Sequence, residues 1–146
     1  MAKKASRTAI AQKDCPCQSG LSYSQCCGRF LEGSNPDSHP TPETAELLMR
    51  SRYTAYVLGN STYLLDTWHP QYRPEAIELE KSLQHSQQKW IGLNIKHTVR
   101  GLPQDNTGEV HFIARYKING KAARLEEHSQ FVKIDKQWFY TTGQFL

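Results

Sequence analysis

All four cysteines of this 146-residue chain lie in one short stretch, "CPCQSGLSYSQCCG", which runs from Cys15 to Gly28. They form two close pairs, Cys15 with Cys17 and Cys26 with Cys27, and eight residues separate the pairs. Zinc prefers four soft ligands in a tetrahedron, each sulfur about 2.3 Å from the ion. Two thiol pairs joined by a short loop can supply that arrangement, so the spacing predicts one structural zinc ion.

Other uses of four clustered thiols stay open at this point. A disulfide between the adjacent Cys26 and Cys27 would close a strained ring. The N-terminus lacks the apolar stretch of a secretory signal, so we expect a soluble, cytoplasmic protein whose thiols stay reduced. Redox-active thiols, with Cys26 and Cys27 as a switch, and an iron–sulfur cluster are the remaining alternatives to structural zinc.

The net charge of +4 comes from the N-terminal end of the chain. Residues 1–13 contain Lys3, Lys4, Arg7 and Lys13 and no acid, whereas the rest of the chain has 14 basic and 14 acidic residues. This excess predicts a disordered basic tail and no basic face that reads nucleic-acid sequence. No apolar run approaches the roughly 20 residues that span a bilayer.

Composition divides the chain into four parts. Residues 1–14 form the basic tail, residues 15–32 the zinc-binding segment, residues 33–42 a linker rich in proline, and residues 43–146 a folded α+β domain. A segment of 18 residues has no core of its own, so metal binding must supply its folding free energy, on the order of 10 kcal/mol. We therefore expect metal removal to unfold the segment and to leave the larger domain folded.

Helix signals open the larger domain. Thr41 can cap a helix that begins at Pro42 and continues to a C-cap at Gly59 and Asn60. The stretch "STYLLDTWHP" predicts a short second helix that ends before Pro70. A third helix is predicted over "RPEAIELEKSLQHSQ".

Strand signals fill the second half of the chain. Alternation in "WIGLNIKHTVR" predicts a strand with an apolar face that contains Ile91, Leu93, Ile95 and Val99. "EVHFIARYKI" alternates in the same way, and Asn119-Gly120 predicts a hairpin to "KAARLEEHSQFVKI", which a turn joins to "QWFYTTGQF". Helices followed by about four antiparallel strands give an α+β fold, with the helices packed on a curved antiparallel sheet.

The cysteine stretch resembles the SEC-C motif, a zinc motif of the bacterial protein-translocation motor. "CCGRFLEG", "LLMRSRYTAYVLGNSTYLLDTWHP" and "EHSQFVKIDKQWFY" resemble the bacterial YchJ family in the same order. That resemblance implies a nuclear-transport-factor-2-like domain, a cystatin-like α+β cone. It also implies that the SEC-C segment docks a protein partner, since in the translocation motor this segment docks a chaperone and is reported to touch ribosomes.

Two features depart from these families. Ser24 and Gln25 stand where SEC-C motifs often carry lysines, just before the second cysteine pair. Many YchJ relatives carry a second SEC-C segment near the C-terminus, whereas this sequence has no cysteine after Cys27. We therefore expect a single zinc module.

Cone-shaped folds of this class often hold a pocket between sheet and helices. The polar and aromatic residues that we expect to line it are Arg52, Tyr56, Trp68, His69, Glu126, His128 and Tyr140. Strand parity puts Glu126 and His128 on one face and Leu125, Glu127 and Phe131 on the other. A histidine beside a carboxylate could act as a general base, yet no nucleophile motif or phosphate loop is present, so no residue is assigned as catalytic.

Three functions are compatible with these features. The first is a zinc-stabilised adaptor whose SEC-C segment docks a protein of the translocation, ribosome or chaperone machinery while the cone binds a small ligand or peptide. The second is a small-molecule enzyme or sensor in the cone, and the third is a thiol redox switch. Dimers are common among cone-shaped folds, so a dimer is possible.

Overall fold

The computed structural model describes residues 13–32 and 40–146. Most of the predicted basic tail (residues 1–12) and of the predicted linker (residues 33–39) lies outside the described residues.

Helices make up the first half of the described chain. A 3₁₀ helix over Tyr23–Gln25 is followed by the α-helices α1 (Gly28–Leu31), α2 (Ala45–Leu58), α3 (Ser61–Asp66) and α4 (Ala76–His85). None of the helices in residues 13–32 and 40–146 is long and apolar enough to cross a membrane.

Helix α2 begins later than its sequence suggests. Thr44, not Thr41, is the N-cap, because the Thr44 side chain accepts a hydrogen bond from Leu47 N–H at 3.1 Å. Pro42 therefore precedes the helix and does not occupy its first turn. At the other end Gly59 takes a left-handed conformation (φ 72°), as the C-cap prediction requires.

The second half of the chain forms a four-stranded antiparallel sheet. Its strands are β1 (Lys89–Arg100), β2 (Thr107–Ile118), β3 (Lys121–Ile134) and β4 (Gln137–Phe145), and they lie in the order β1-β2-β3-β4. Asn119 and Gly120 form the predicted hairpin turn, both with positive φ. The predicted α+β class, with helices followed by an antiparallel sheet, is confirmed.

Strand β1 does not keep one alternation along its length. Its pairing with β2 shifts between Trp90 and Gly92 and again between Ile95 and His97. Each extra residue turns the following side chains to the other face. Leu93 is therefore buried, whereas Ile91 is 45% exposed, so the predicted single apolar face over these residues is wrong.

Helix α2 packs on the inner face of the sheet, and one hydrophobic core joins them. Trp138 on β4 donates from Nε1 to Glu43 O (3.0 Å) and so fixes the start of the helix on the sheet. Gly101 and Gly108 allow close approach at the same end. A Cβ on Gly101 would lie 2.7 Å from Ala45 Cβ, so a side chain there would separate helix from sheet.

Candidate metal centre and ligand cavity

A tight turn and a short helical stretch bring the two thiol pairs together. Cys15 N–H donates to Leu21 O (2.8 Å), and Gln18 N–H donates to Cys15 O (3.0 Å). Gln18 (φ 62°) and Gly20 (φ 92°) take left-handed conformations that reverse the chain between these bonds. The 3₁₀ helix over Tyr23–Gln25 then leads to the second thiol pair, so that it faces the first.

The four sulfur atoms form a compact cluster. All lie within 4.8 Å of one another, with 3.6 Å between Cys17 and Cys26 and 4.0 Å between Cys26 and Cys27. A tetrahedral site with sulfur about 2.3 Å from zinc needs sulfurs about 3.8 Å apart. No disulfide joins the four cysteines, and all four are buried. The donor set and its spacing therefore fit one soft metal ion.

Hydrogen bonds within the cluster favour the ionised form of Cys15 and the protonated form of Cys27. Hydrogen bonds from Cys17 and then Cys27 lower the pKa of Cys15 to about 3, whereas the bond with Cys15 raises the pKa of Cys27. Ser19 Oγ donates to Cys26 Sγ at 3.1 Å and orients that sulfur. Thiolates are the metal-binding form of cysteine, so a cation can replace the protons that these sulfurs share.

The cysteine segment packs directly on the larger domain. Arg50 Nη1 on α2 donates to Cys17 O (2.8 Å), and Thr54 Oγ1 lies 3.8 Å from Cys15 Sγ. Gln18 Oε1 accepts from the Leu93 N–H of β1 at 3.0 Å. The four cysteines belong to the same buried cluster as the core of helix and sheet. This packing argues against the expectation that metal loss would leave the larger domain intact.

A cavity of about 460 Å³ lies between α2 and the inner face of the sheet. Its size is in the usual range for small-molecule sites. Aromatic side chains make up much of its wall, and the lining residues are Met49, Arg52, Tyr53, Tyr56, Trp68, Gln88, Trp90, Phe112, Ala114, Leu125, Glu127, Ser129, Tyr140 and Phe145.

Arg52 places a buried positive charge in the wall of this cavity. The side chain is only 3% exposed, and its Nη1 donates to Leu64 O (2.7 Å) and Thr67 Oγ1 (2.8 Å). Its Cζ lies 4.9 Å from the ring centre of Trp68 and 4.7 Å from that of Tyr140. Burial lowers the pKa of Arg52, and these cation–π contacts help to keep the guanidinium charged.

Glu127 on β3 supplies the acidic group of the cavity. It is 8% exposed, and its Oε2 accepts from Ser129 Oγ (2.5 Å) and Tyr140 OH (3.1 Å). Gly143 on β4 makes room for it, because a Cβ at that position would lie 2.0 Å from Glu127 Oε2. The fold therefore accommodates this carboxyl group closely.

Trp68 adds a donor without a partner. His69 N–H donates to Tyr140 O (2.8 Å) and Tyr140 N–H to Thr67 O (2.8 Å), so the chain after α3 pairs with β4 and holds Trp68 beside Tyr140. Within residues 13–32 and 40–146, Trp68 Nε1 is the one buried side-chain nitrogen or oxygen without a hydrogen bond. A buried donor left unpaired costs about 1–3 kcal/mol, so it calls for a partner.

The cavity tyrosines are neutral hydrogen-bonding groups. Burial raises the pKa of Tyr53 to about 12, and it also raises the pKa of Tyr56 and Tyr140. Glu127 raises the pKa of Tyr140 further, because a phenolate beside this carboxyl group would be repelled. The hydroxyl groups therefore stay protonated at neutral pH.

Comparison with protein families identifies both parts of this architecture. Residues 44–143 match the model "YchJ, middle NTF2-like domain", and residues 13–29 match the model "SEC-C motif". The chain belongs to the YchJ family. The SEC-C motif is a metal-binding motif, which agrees with the geometry of the four sulfurs.

Relatives match most of the length of this YchJ-family chain. A UPF0225 protein of Chromobacterium violaceum is 47% identical over 133 residues, which are 91% of this chain and 93% of that protein. A SEC-C motif protein from Rhodopseudomonas palustris has a solution structure that matches with a TM-score of 0.76 at 28% identity, over 90% of this chain and 98% of that one. A crystal structure from Psychrobacter arcticus, also of a SEC-C motif protein, gives 0.77 at 25% identity, over 92% and 83%.

Four of the seven residues predicted for the pocket of this YchJ-family chain line the cavity, and three do not. Arg52, Tyr56, Trp68 and Tyr140 are in its wall. His69 is not, because successive side chains of an extended segment point to opposite sides. Its ring lies beside Phe139 instead, with the ring centres 6.4 Å apart.

Glu126 and His128 are also absent from the cavity wall, because they lie on the outer face of the sheet. His111 Nε2 lies 2.5 Å from Glu126 Oε2, and His128 Nε2 lies 3.2 Å from Glu109 Oε1. Both pairs are partly exposed. The predicted strand parity holds, but the polar pair that we selected is on the wrong face.

Glu127 is the acidic residue that the sequence analysis missed. It shares a face with Leu125 and Phe131, and an amphipathic strand turns its apolar face inward. That apolar pair was a usable signal, because it places the intervening carboxyl group inside. We selected Glu126 instead because it shares a face with His128, and that face is the outer one.

Proposed function

We propose that this YchJ-family protein is a zinc-stabilised adaptor, whose cone binds a small ligand and whose SEC-C segment docks a protein partner. The observation that carries the proposal is the cavity of about 460 Å³ with two buried charged groups, Arg52 and Glu127, in its wall. Buried charged groups lower stability unless they are paired or serve a site. Their presence at one cavity supports ligand binding.

Zinc is the metal that the donor set favours. Four cysteine ligands suit a soft ion and leave no coordination position open for substrate, which supports a structural role. We assign the ligands as Cys15, Cys17, Cys26 and Cys27. Metal analysis of protein purified under reducing conditions with zinc present should give one zinc ion per chain, and another metal at that stoichiometry would overturn the assignment.

Two sequence regions carry the two roles in this proposal. Residues 15–32 form the SEC-C segment and residues 43–146 the cone. Leu21 supports docking, since it is 48% exposed on a segment whose cysteines and Tyr23 are buried. Ser24 and Gln25 are exposed beside it and uncharged, so the partner is expected to contact an apolar and polar surface rather than a basic one.

Ligand binding in the cone is tested by blocking the cavity. Leu125 lines the cavity, so Leu125→Trp should fill part of it, whereas Ile134→Trp changes an exposed side chain and is the matched control. A thermal-shift screen of a small-molecule library should find compounds that stabilise wild type and Ile134→Trp but not Leu125→Trp. Compounds that stabilise all three proteins equally, or no stabilising compound at all, would remove the cavity as the ligand site.

Docking is tested by site-specific crosslinking. A photoreactive amino acid at Leu21 should crosslink in cells to a protein of the translocation, ribosome or chaperone machinery. The same amino acid at the exposed Lys136, in the turn between β3 and β4, should not. Equal crosslinking from the two positions would show that the SEC-C surface has no special role.

A further inference from the structure

We infer that the cone takes an uncharged, planar ring compound that carries a hydrogen-bond acceptor and a hydrogen-bond donor side by side, as a lactam does. The inference rests on the proposed ligand-binding function and names the chemical class of that ligand. Three properties of the cavity support it: its charge balance, its unused hydrogen-bonding atoms and the shape of its wall.

The charges in the wall oppose a charged ligand. Arg52 and Glu127 supply one buried positive and one buried negative group, and Tyr140 contacts both. An ammonium ligand would meet the aromatic faces that Arg52 already uses, since its Cζ lies within 4.9 Å of the Trp68 and Tyr140 ring centres. A carboxylate ligand would be repelled by Glu127. A ligand without net charge leaves the existing balance intact.

The wall offers a ligand one donor on Trp68 and one acceptor on Glu127. Trp68 Nε1 is a buried donor without a partner in the described part of the chain. Within residues 13–32 and 40–146, both side-chain hydrogen bonds of Glu127 end on Oε2, so its Oε1 can accept a bond from a ligand. Trp68, Glu127 and Tyr140 all line the cavity, and Tyr140 contacts both of the others, so we place the ligand beside Tyr140. The complement of this donor and acceptor is a ligand edge with one acceptor and one donor.

Flat side chains define the shape of the space. The Tyr53 and Trp90 rings lie 6.0 Å apart in an edge-to-face arrangement, and Tyr56 lies 6.4 Å from Trp90. Phe112 and Ala114 line the sheet side. Aromatic walls favour stacking and edge contacts with another ring system, and about 460 Å³ accommodates a bicyclic compound.

The test uses probes of one size and different chemistry. Quinolin-2-one is a neutral bicyclic lactam, 1-methylquinolin-2-one lacks its N–H donor, 2-naphthoate is an anion and 2-naphthylmethylammonium is a cation. Isothermal titration calorimetry on the full metal-loaded chain should show quinolin-2-one binding at least tenfold more tightly than each of the other three. The loss should follow from an unpaired Glu127 or an uncompensated charge.

Variants check the two partner atoms. Trp68→Phe keeps an aromatic ring and removes the N–H group, so quinolin-2-one should bind about tenfold more weakly. Glu127→Gln should reduce its advantage over the methylated probe. The comparison between quinolin-2-one and its methylated form uses wild-type protein, so it stands even if a variant fails to fold.

The outcomes separate this inference from the proposed function. Tighter binding of either charged probe to wild type, with binding lost in Leu125→Trp, would overturn the lactam class and keep the cone as a ligand site. Equal affinities for quinolin-2-one and its methylated form, or no binding of any probe, would also overturn it. If the library screen finds no compound that stabilises wild type but not Leu125→Trp, the proposal that the cone binds a ligand is itself overturned.

Discussion

The metal centre and the cavity use neighbouring positions of one helix. Arg50 and Thr54 of α2 contact the cysteine segment, whereas Arg52 and Tyr56 line the cavity. Two residues along a helix correspond to a rotation of about 200°, so the two pairs face opposite sides. Helix α2 therefore connects both sites, so loss of order at the metal centre can reach the cavity.

The two regions differ in what holds them together. The candidate metal centre comes from thirteen consecutive residues, Cys15 to Cys27, and we propose that an ion holds it together. The cavity is assembled from helix, strand and loop residues far apart in sequence, and ordinary packing and hydrogen bonds hold it. We therefore expect metal loss to damage the cavity, and cavity changes to leave the metal centre in place.

Removal of two metal ligands should have the largest effect. The double substitution Cys26→Ser, Cys27→Ser should lower the stability of the whole described domain by at least about 4 kcal/mol, because structural zinc supplies on the order of 10 kcal/mol and the cysteines share the main core. Thermal melting followed by circular dichroism measures it, with the exposed Ser24→Ala as control. An unchanged main transition would show that the segment is an independent module.

Truncation of the buried arginine should come next. Arg52→Met should destabilise the protein by about 2–4 kcal/mol, because Leu64 O and Thr67 Oγ1 lose a buried charged hydrogen-bond donor. Arg115→Met, at an exposed position of β2, is the control. Urea unfolding measures both, and zinc content should stay at wild-type level. Loss of zinc from Arg52→Met would contradict our expectation that a change in the cavity leaves the metal centre in place.

Gly143→Ala tests the space for Glu127. The added methyl group should cost about 1–3 kcal/mol, because it would overlap Glu127 Oε2 and crowd Tyr140 OH. In a Glu127→Ala background the cost should fall by at least about 1 kcal/mol. A double-mutant cycle by urea unfolding measures the coupling. Equal costs in the two backgrounds would show that Glu127 does not occupy the position described.

Alkaline pH should weaken the cavity wall by a smaller amount. The pKa of Tyr140 is raised in the fold by burial and by Glu127, so the folded chain keeps that proton when the unfolded chain loses it above about pH 10. Its contribution is complete below pH 10 and is lost as pH rises further. Tyr140→Phe should therefore reduce the fall in unfolding free energy between pH 10 and 11 by up to about 1 kcal/mol. An identical fall in both proteins would contradict this.

The outer face of the sheet should show the smallest effect. His128→Ala removes a partly exposed contact with Glu109 and should change stability by less than about 1 kcal/mol. It should leave quinolin-2-one binding unchanged, because His128 does not line the cavity. Calorimetric titration checks this. A tenfold loss of affinity would return the ligand site to the face that we first predicted.

The sequence predicted the fold class and the clustering of the four cysteines better than the cavity. The cysteine stretch from Cys15 to Cys27 can be interpreted locally, because all four thiols are close in sequence and such a donor set suits a soft metal ion. The strands were predictable from alternation, except in β1, where bulges near Gly92 and His97 depend on pairing with β2. Such bulges are set by tertiary contacts, which a single strand does not encode.

The prediction of cavity-lining residues depended on which face of β3 points inward. The sequence offered Glu126 and Glu127 at adjacent positions, and the buried Phe131, on the same face as Glu127, shows which of the two points inward. The role of Gly143 could not be predicted either, because its neighbour Glu127 comes from another strand. Close approach between side chains far apart in sequence is the property that spacing and composition leave undetermined.

Hydrogen exchange of α2 with and without metal shows whether the ion stabilises the cavity through this helix. Protein with zinc should show strong protection of amide groups in Ala45–Leu58, and removal of the ion with a chelator under reducing conditions should increase exchange there and in β3 around Glu127. We predict that α2 and β3 lose protection together, because α2 contacts both the cysteine segment and the cavity. Faster exchange confined to residues 13–32, with α2 unchanged, would contradict it.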